Sequence, residues 1–189
     1  MVFTKEELIR LIPEIEWIED QQLRQKTIET WQLALEESGT SIEEFPAILC
    51  HKSLDGCKVT LLDHTRGVTK LARALAQRLD ADFGQFVPLN HDLVVMGAIL
   101  HDVGKVLEHV TGEDGKLTWA AQYLHHPTSG AILAGKTGCP PKTVYIIANH
   151  SHEGKESKDI PELFIVRNAD EIYYKYLFFG FQKKAKPGW

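Results

Sequence analysis

Eight consecutive residues, Leu93 to Leu100 (LVVMGAIL), carry no polar side chain and run directly into His101-Asp102. That is the pattern of a central helix enclosed on all sides, and other elements must be built around it. Placing His and Asp at the end of such a helix is costly unless something pairs with them, and a cation would do so. The negative end of the helix dipole adds modestly to cation affinity there. Read alone, the pair is equally compatible with a helix end that simply reaches solvent.

The surrounding segments also read as helices. Pro13 to Ser38 is rich in helix formers, with Pro13 suited to a first position and Gly39 to the end, and is expected to form one long amphipathic helix. Its apolar members Ile15, Ile18, Ile28, Trp31 and Leu35 place it across the main bundle, or against a neighbouring subunit in a homodimer. Ser41 and Glu44 have capping-box spacing and predict a short helix, and residues 45 to 60 read as loop with a turn at Asp55-Gly56. Residues 61 to 79 show a clear helical period with Asp63 as N-cap, and His64 shares its face with Val68, Leu71, Leu75 and Leu79. Pro127 and Pro141 each open a helix of about ten residues, over 127 to 136 and 141 to 150, and a last helix follows Pro161 to about Phe178. Gly104 suits a left-handed helix end. No stretch holds a strand period and no repeat is visible, and only the tail KKAKPGW looks loose. The fold class is all-α, with 189 residues forming one domain: an N-terminal helical extension over 1 to 48 and a core over 60 to 178.

Composition narrows the partners. A net charge of −5 argues against an extended nucleic-acid or anionic-membrane surface, so any phosphate recognition must be local. No apolar run approaches the roughly 20 residues that span a bilayer, and the charged start lacks a signal-peptide pattern; a cytoplasmic protein is expected. Cys50, Cys57 and Cys139 form no CxxC pair and read as reduced structural thiols.

Further metal-ligand types fall on the inner faces of separate helices. Asp170, within LFIVRNADEIYYKY, is in phase with Leu163, Val166, Tyr173 and Tyr174, and an unpaired inward Asp is improbable. His150 follows the apolar residues Val144, Ile146 and Ile147; taken singly, it reads as a hydrogen-bonded core histidine. His91-Asp92 repeats the dipeptide but opens the buried helix, and is read as its cap. His51 and His109 match no motif.

The order His64, His101-Asp102, Asp170 resembles the H…HD…D signature of the HD superfamily of metal-dependent phosphohydrolases, over residues 60 to 178. The resemblance implies a bundle of about five core helices and at least one metal on those four residues. HDVGK, followed by HPTSGAILAG and IANHSHEG, is similar to the HDxGK branch, which includes endoribonucleases and cyclic-dinucleotide phosphodiesterases. There a second metal is held by histidines matching His126, with Gly130 four residues on, and His150. The resemblance thus assigns His64, His101, Asp102 and Asp170 to one metal, and bridging Asp102, His126 and His150 to the other. Register favours His126 over His125, and His152 is either a substrate contact at the pocket rim or exposed.

Two metals about 3.5 to 4 Å apart can activate a shared water and hold phosphoryl oxygens for in-line attack. The branch resemblance places Lys105 on the scissile phosphate, which makes Asp102 and Lys105 the expected catalytic pair. Arg66, Lys70 and Arg167 lie within a turn or two of ligands, and Arg66 is taken as a candidate substrate contact. Mixed imidazole and carboxylate ligation suits Mn or Fe, with Zn, Co and Ni also compatible. The expected function is hydrolysis of a phosphomonoester or phosphodiester, with a small phosphorylated substrate of nucleotide type. The alternatives are a di-iron oxygenase on the same fold and a regulatory module without turnover. The GYP signature of cyclic-di-GMP phosphodiesterases is absent after the last histidines, and no KH-like RNA-binding segment precedes the core; the chain reads as a stand-alone HD domain.

Overall fold

The computed structural model describes residues 3–51, 54–108, 110–112 and 115–181. His109 and the tail KKAKPGW lie outside the described residues. Among those described, the α-helices are α1 (Lys5–Leu11), α2 (Gln21–Ser38), α3 (Leu61–Phe83), α4 (His91–Leu100), α5 (Trp119–Tyr123), α6 (His126–Lys136), α7 (Pro141–Asn149) and α8 (Pro161–Leu177). The extended pairings among them are isolated bridges, Leu49 with Thr60 and Thr111 with Leu117. The all-α expectation holds.

Helix α4 is the spine. Every residue from Leu93 to Leu100 is buried, and α3, α7, α8 and α2 pack around it. Its N-cap is Asn90, whose side chain accepts from the Leu93 amide at 3.0 Å, and not His91-Asp92 as the sequence suggested. Asp92 instead accepts from the backbone amides of Glu19 and Asp20 at 2.9 and 2.8 Å, and His91 pairs with Asp80.

That Asp92 anchor explains why the expected single helix from Pro13 to Ser38 is broken. Pro13–Trp17 forms a 3-10 turn, the chain extends at Ile18, and α2 restarts behind Asp20, which caps the amides of Gln22 and Leu23. The extension lies across the bundle: Leu8, Ile12, Ile15, Ile18, Ile28, Trp31 and Phe45 are fully buried and share one apolar cluster with Met96, Ile99, Leu133 and Ile147. Gly39 ends α2 in the left-handed region at φ 67°. Ser41 and Glu44 exchange the expected hydrogen bonds, but only a turn and the 3-10 segment Phe45–Ala47 follow.

Helix α3 starts earlier than expected. Thr60 is its N-cap, and Asp63, the third residue of a capping box, accepts from the Thr60 amide in return. Helices α6, α7 and α8 match their expected spans within a residue or so. Gly104 does not adopt the left-handed conformation; it sits in the 3-10 turn Val103–Leu107. Its missing side chain serves close approach, since a Cβ there would collide with the His126 carbonyl, Ser129 Oγ and the Gly130 amide. This contact seats α6 directly on the segment that follows His101-Asp102.

Candidate metal centre

The end of α4 delivers His101 and Asp102 into the interior, where they are 0% and 1% exposed. His101 Nδ1 donates to the Ala98 carbonyl oxygen at 2.7 Å, one turn back on its own helix. His150, at the end of α7, repeats this arrangement by donating from Nδ1 to the Ile147 carbonyl at 2.8 Å. His126, the first residue of α6, donates from Nδ1 to Glu108 Oε1 at 3.0 Å. Carbonyl and carboxylate oxygens only accept, so each Nδ1 carries a proton and each ring turns its Nε2 inward.

Those nitrogens, joined by His64 Nε2, converge on Asp102 from two sides. His64 Nε2 and His101 Nε2 each stand 3.3 Å from its Oδ2, whereas His126 Nε2 and His150 Nε2 stand 3.3 and 3.6 Å from its Oδ1. Asp170 Oδ1, from α8, lies 3.0 Å from His64 Nε2 and 3.8 Å from His101 Nε2. The six residues singled out in the sequence as ligands thus meet at one place, contributed by five different helices or their ends.

The donor set fits divalent metal ions. The ligand atoms of His64, His101 and Asp170 all lie within 4.8 Å of one another, as do those of His101, Asp102 and His150. His150 Nε2 is buried without a hydrogen-bond partner, and the Nε2 atoms of His64 and His101 are only 3.2 Å apart. Imidazole nitrogens packed this closely, beside two carboxylates, form a donor set that a cation would satisfy.

In the protein alone, the clustered groups shift one another strongly. Burial works against the Asp102 carboxylate, but the Lys105 ammonium and His101 outweigh it and hold it well below the usual range. Asp170 is likewise held low, because hydrogen bonding from His64 and the charge of His101 overcome burial. Burial would depress His64, yet its contacts with Asp102 and Asp170 lift it above the ordinary value. For Lys105 burial is again opposed, here by Asp102 2.7 Å away, and the ammonium is held more firmly than usual.

A cavity of about 500 Å³ opens over the centre, lined by Asp102, Lys105, His126 and His150, with His152 at its edge. His152 is 79% exposed along its side chain and pairs with Glu153, and His125 is 75% exposed and apart from the ligands. Arg66 does not line this cavity. It pairs with buried Glu14 at 3.1 Å, which Lys70 also approaches at 3.5 Å, so both tie α3 to the Pro13–Trp17 turn. A residue two positions from His64 on a helix points away from it, and that geometry removes Arg66 from the site. Arg167 lines the cavity with a guanidinium already committed to the Asn149 and Gly154 carbonyls, Ser157 and Asp159.

Three contributors escaped the sequence. Cys50 Sγ accepts from Lys105 Nζ at 3.3 Å, and its thiol is pushed upward by burial. His51 packs against His64 with ring centroids 4.9 Å apart, and burial followed by the charges of His64 and Lys105 pushes it down to about 4. Glu108 orients His126 as described. The Leu49–Thr60 bridge carries Cys50 and His51 to the start of α3; a loop has no periodicity from which that could be read.

Residues 61–174 match the family model described as HD domain, and the chain belongs to the HD-domain family. It is a metal-dependent phosphohydrolase, in keeping with a curated phosphodiesterase relative that matches most of its length. That relative, the dihydroneopterin 2′,3′-cyclic phosphate phosphodiesterase of Methanocaldococcus jannaschii, is 35% identical over 173 residues, covering 86% of this chain and 67% of the relative. The tRNA (cytidine(56)-2′-O)-methyltransferase of Thermoplasma volcanium is 27% identical over 132 residues, covering 62% of this chain but 33% of the methyltransferase. No solved structure gives a significant match. Among the described residues, no helix is long and apolar enough to cross a membrane.

Proposed function

We propose that the chain is an HDxGK-type phosphodiesterase that opens a cyclic phosphate ester of a small, nucleotide-like molecule at a two-metal centre. The observation that carries this reading is the division of labour at Asp102, whose Oδ2 faces His64 and His101 while its Oδ1 faces His126 and His150. A carboxylate with different imidazoles on each oxygen is suited to bridge two cations. His64, His101, Asp102 and Asp170 would hold one ion, and Asp102, His126 and His150 the other. Imidazole-rich ligation with carboxylates and no thiolate suits Mn or Fe, and is compatible with Zn, Co and Ni. When bound, such a pair lowers the pKa of a shared water and polarises the phosphoryl oxygens.

The protein's own groups do the positioning. Lys105 Nζ, buried and firmly charged, sits where it can hold a phosphoryl oxygen as negative charge develops on it. Glu108, Ala98 and Ile147 fix the histidine tautomers, so no reorientation is needed when substrate arrives. His152 at the cavity edge is a candidate contact for the rest of the substrate. In the reaction, a water oxygen bonds to phosphorus, one ester P–O bond breaks, and the departing oxygen leaves as an alcohol carrying a proton. The similarity to a cyclic phosphate phosphodiesterase supports the choice of diester over monoester.

The test is anaerobic reconstitution with Mn or Fe, metal analysis, and assay on a 2′,3′-cyclic nucleotide, with Asp102→Asn alongside. Two ions per chain and turnover in the wild type, both lost in the variant, are expected. A wild type that binds two ions and hydrolyses no phosphate ester overturns the proposal.

A further inference from the structure

Asp170 begins a row on α8. Tyr174 and Phe178 follow it at spacings of four, which stacks the three side chains along one helix face. All three line the cavity over the metal centre. The helix rises about 1.5 Å per residue, so Tyr174 stands roughly 6 Å above the candidate ligand and Phe178 roughly 12 Å above it. A phosphate held at the centre therefore places a group on the far side of a short linker, such as one sugar ring, level with these two aromatics.

The two rings form a prepared surface. They meet edge to face, with centroids 4.9 Å apart and planes at 80°. Tyr174 is fixed from below by His51, whose ring centroid is 5.2 Å away, and His51 in turn leans on His64. Phe178 is 37% exposed and lines the same cavity as the strongly polar centre. Polar and charged groups complete the lining: Ser151, His152 and Lys155 from the segment after His150, and Arg167, Glu171 and Lys175 from α8 itself. A cavity with charge at its floor and an aromatic pair set among polar groups suits a substrate that joins a phosphate to a flat heteroaromatic ring: the ring stacks on one aromatic face, meets the edge of the other, and turns its polar edge to the polar lining.

We propose that Tyr174 and Phe178, backed by His51, form a ring subsite that selects cyclic phosphodiesters bearing a purine-like or pterin-like heteroaromatic group. This rests on the phosphodiesterase reading above and adds to it the part of the substrate that is not phosphate. No step of the hydrolysis uses these residues, so their contribution is to affinity.

The experiment compares two five-membered cyclic phosphates that differ in the ring: adenosine 2′,3′-cyclic phosphate and glycerol 1,2-cyclic phosphate. Tyr174→Ala and Phe178→Ala are each expected to lower kcat/KM on the adenosine substrate by about tenfold, mainly through KM, as loss of one stacking partner does. Both should leave the glycerol substrate nearly unchanged, and Tyr174→Phe should restore wild-type selectivity. An equal fall on both substrates would mark a structural role and overturn the subsite, as would no change on either. Calorimetric binding of adenosine 2′-monophosphate gives a readout independent of turnover, expected to weaken about tenfold in Tyr174→Ala. If the wild type hydrolyses neither ester but binds this ligand in a Tyr174-dependent way, the phosphodiesterase reading fails and the ring subsite stands. Unaltered binding in the variant overturns the subsite whatever the turnover.

Discussion

Lys105 Nζ lies 2.7 Å from Asp102 Oδ2, three residues along the chain and on the same carboxylate that four imidazoles approach. Gly104, between the two, lets the same turn pass tightly against α6. Because the ammonium reaches the centre without donating an electron pair to a metal, it is suited to bind the substrate anion. Lys105→Met is expected to retain the metal content of the wild type while kcat falls by about 10²- to 10³-fold, as for loss of one transition-state charge contact. Metal analysis with steady-state kinetics checks this; loss of metal together with activity would make Lys105 a structural partner of Asp102.

Glu108 offers a separable test of the second ion. It touches His126 and none of the other ligands, and its carboxylate is held below the ordinary range because hydrogen bonding from His126 outweighs burial. Glu108→Gln permits the other His126 tautomer, and should weaken one of two metal-binding steps by about 10- to 100-fold while sparing the other. Titration with Mn or Zn followed by calorimetry resolves the two steps. Equal weakening of both would contradict the division at Asp102.

Chelation should cost stability. An ion that binds only the folded chain at 100 times its Kd stabilises it by about 2.7 kcal/mol, so removal from a chain of this size lowers Tm by roughly 5 to 10 °C. Differential scanning calorimetry before and after chelator, with Asp102→Asn as the insensitive control, measures the effect. An unchanged wild-type Tm would count against a metal at this position.

In the chelated protein, acid should act through His51. Its folded pKa is pushed down to about 4, below the value near 6.5 of an unfolded chain. Between these limits the unfolded state binds the extra proton, so the contribution of His51 is complete above about pH 6.5 and is lost as the pH falls toward 4, by at most about 1.4 kcal/mol per unit. Asp102 and Asp170, held low, lose their contributions only below about pH 4. His64, held high, gives way on the other side, as the pH rises above about 6.5. His51→Gln is therefore expected to flatten Tm against pH between 4 and 6.5. A slope equal to that of the wild type would refute the assignment.

How much of this was legible depended on whether geometry was carried by local sequence. Helix α4 was readable because Leu93 to Leu100 offers no face to water, and His64 and Asp170 were placed inward by their phase with apolar neighbours. The break between Trp17 and α2 was not readable, although Asp20 is a strong cap, because apolar residues continue in helical phase across it. What fixes the break is Asp92, more than seventy residues away, accepting the Glu19 and Asp20 amides. Arg66 was misplaced by reasoning from nearness in sequence, since two helical positions turn a side chain to the opposite face. Cys50, His51 and Glu108 lie outside regular helices, and only tertiary contacts bring them in.

The proposed ligands around Asp102 come from α3, α6 and α8 and from the ends of α4 and α7, so the centre cannot exist before these remote stretches of chain are together. Closing the intervening loops is paid for by the apolar bundle alone, with no help from an ion that has nothing yet to bind. The ion's contribution then falls after the folding barrier. It leaves the folding rate almost unaltered and slows unfolding, so that the loaded enzyme owes its persistence to a slower escape from the native state.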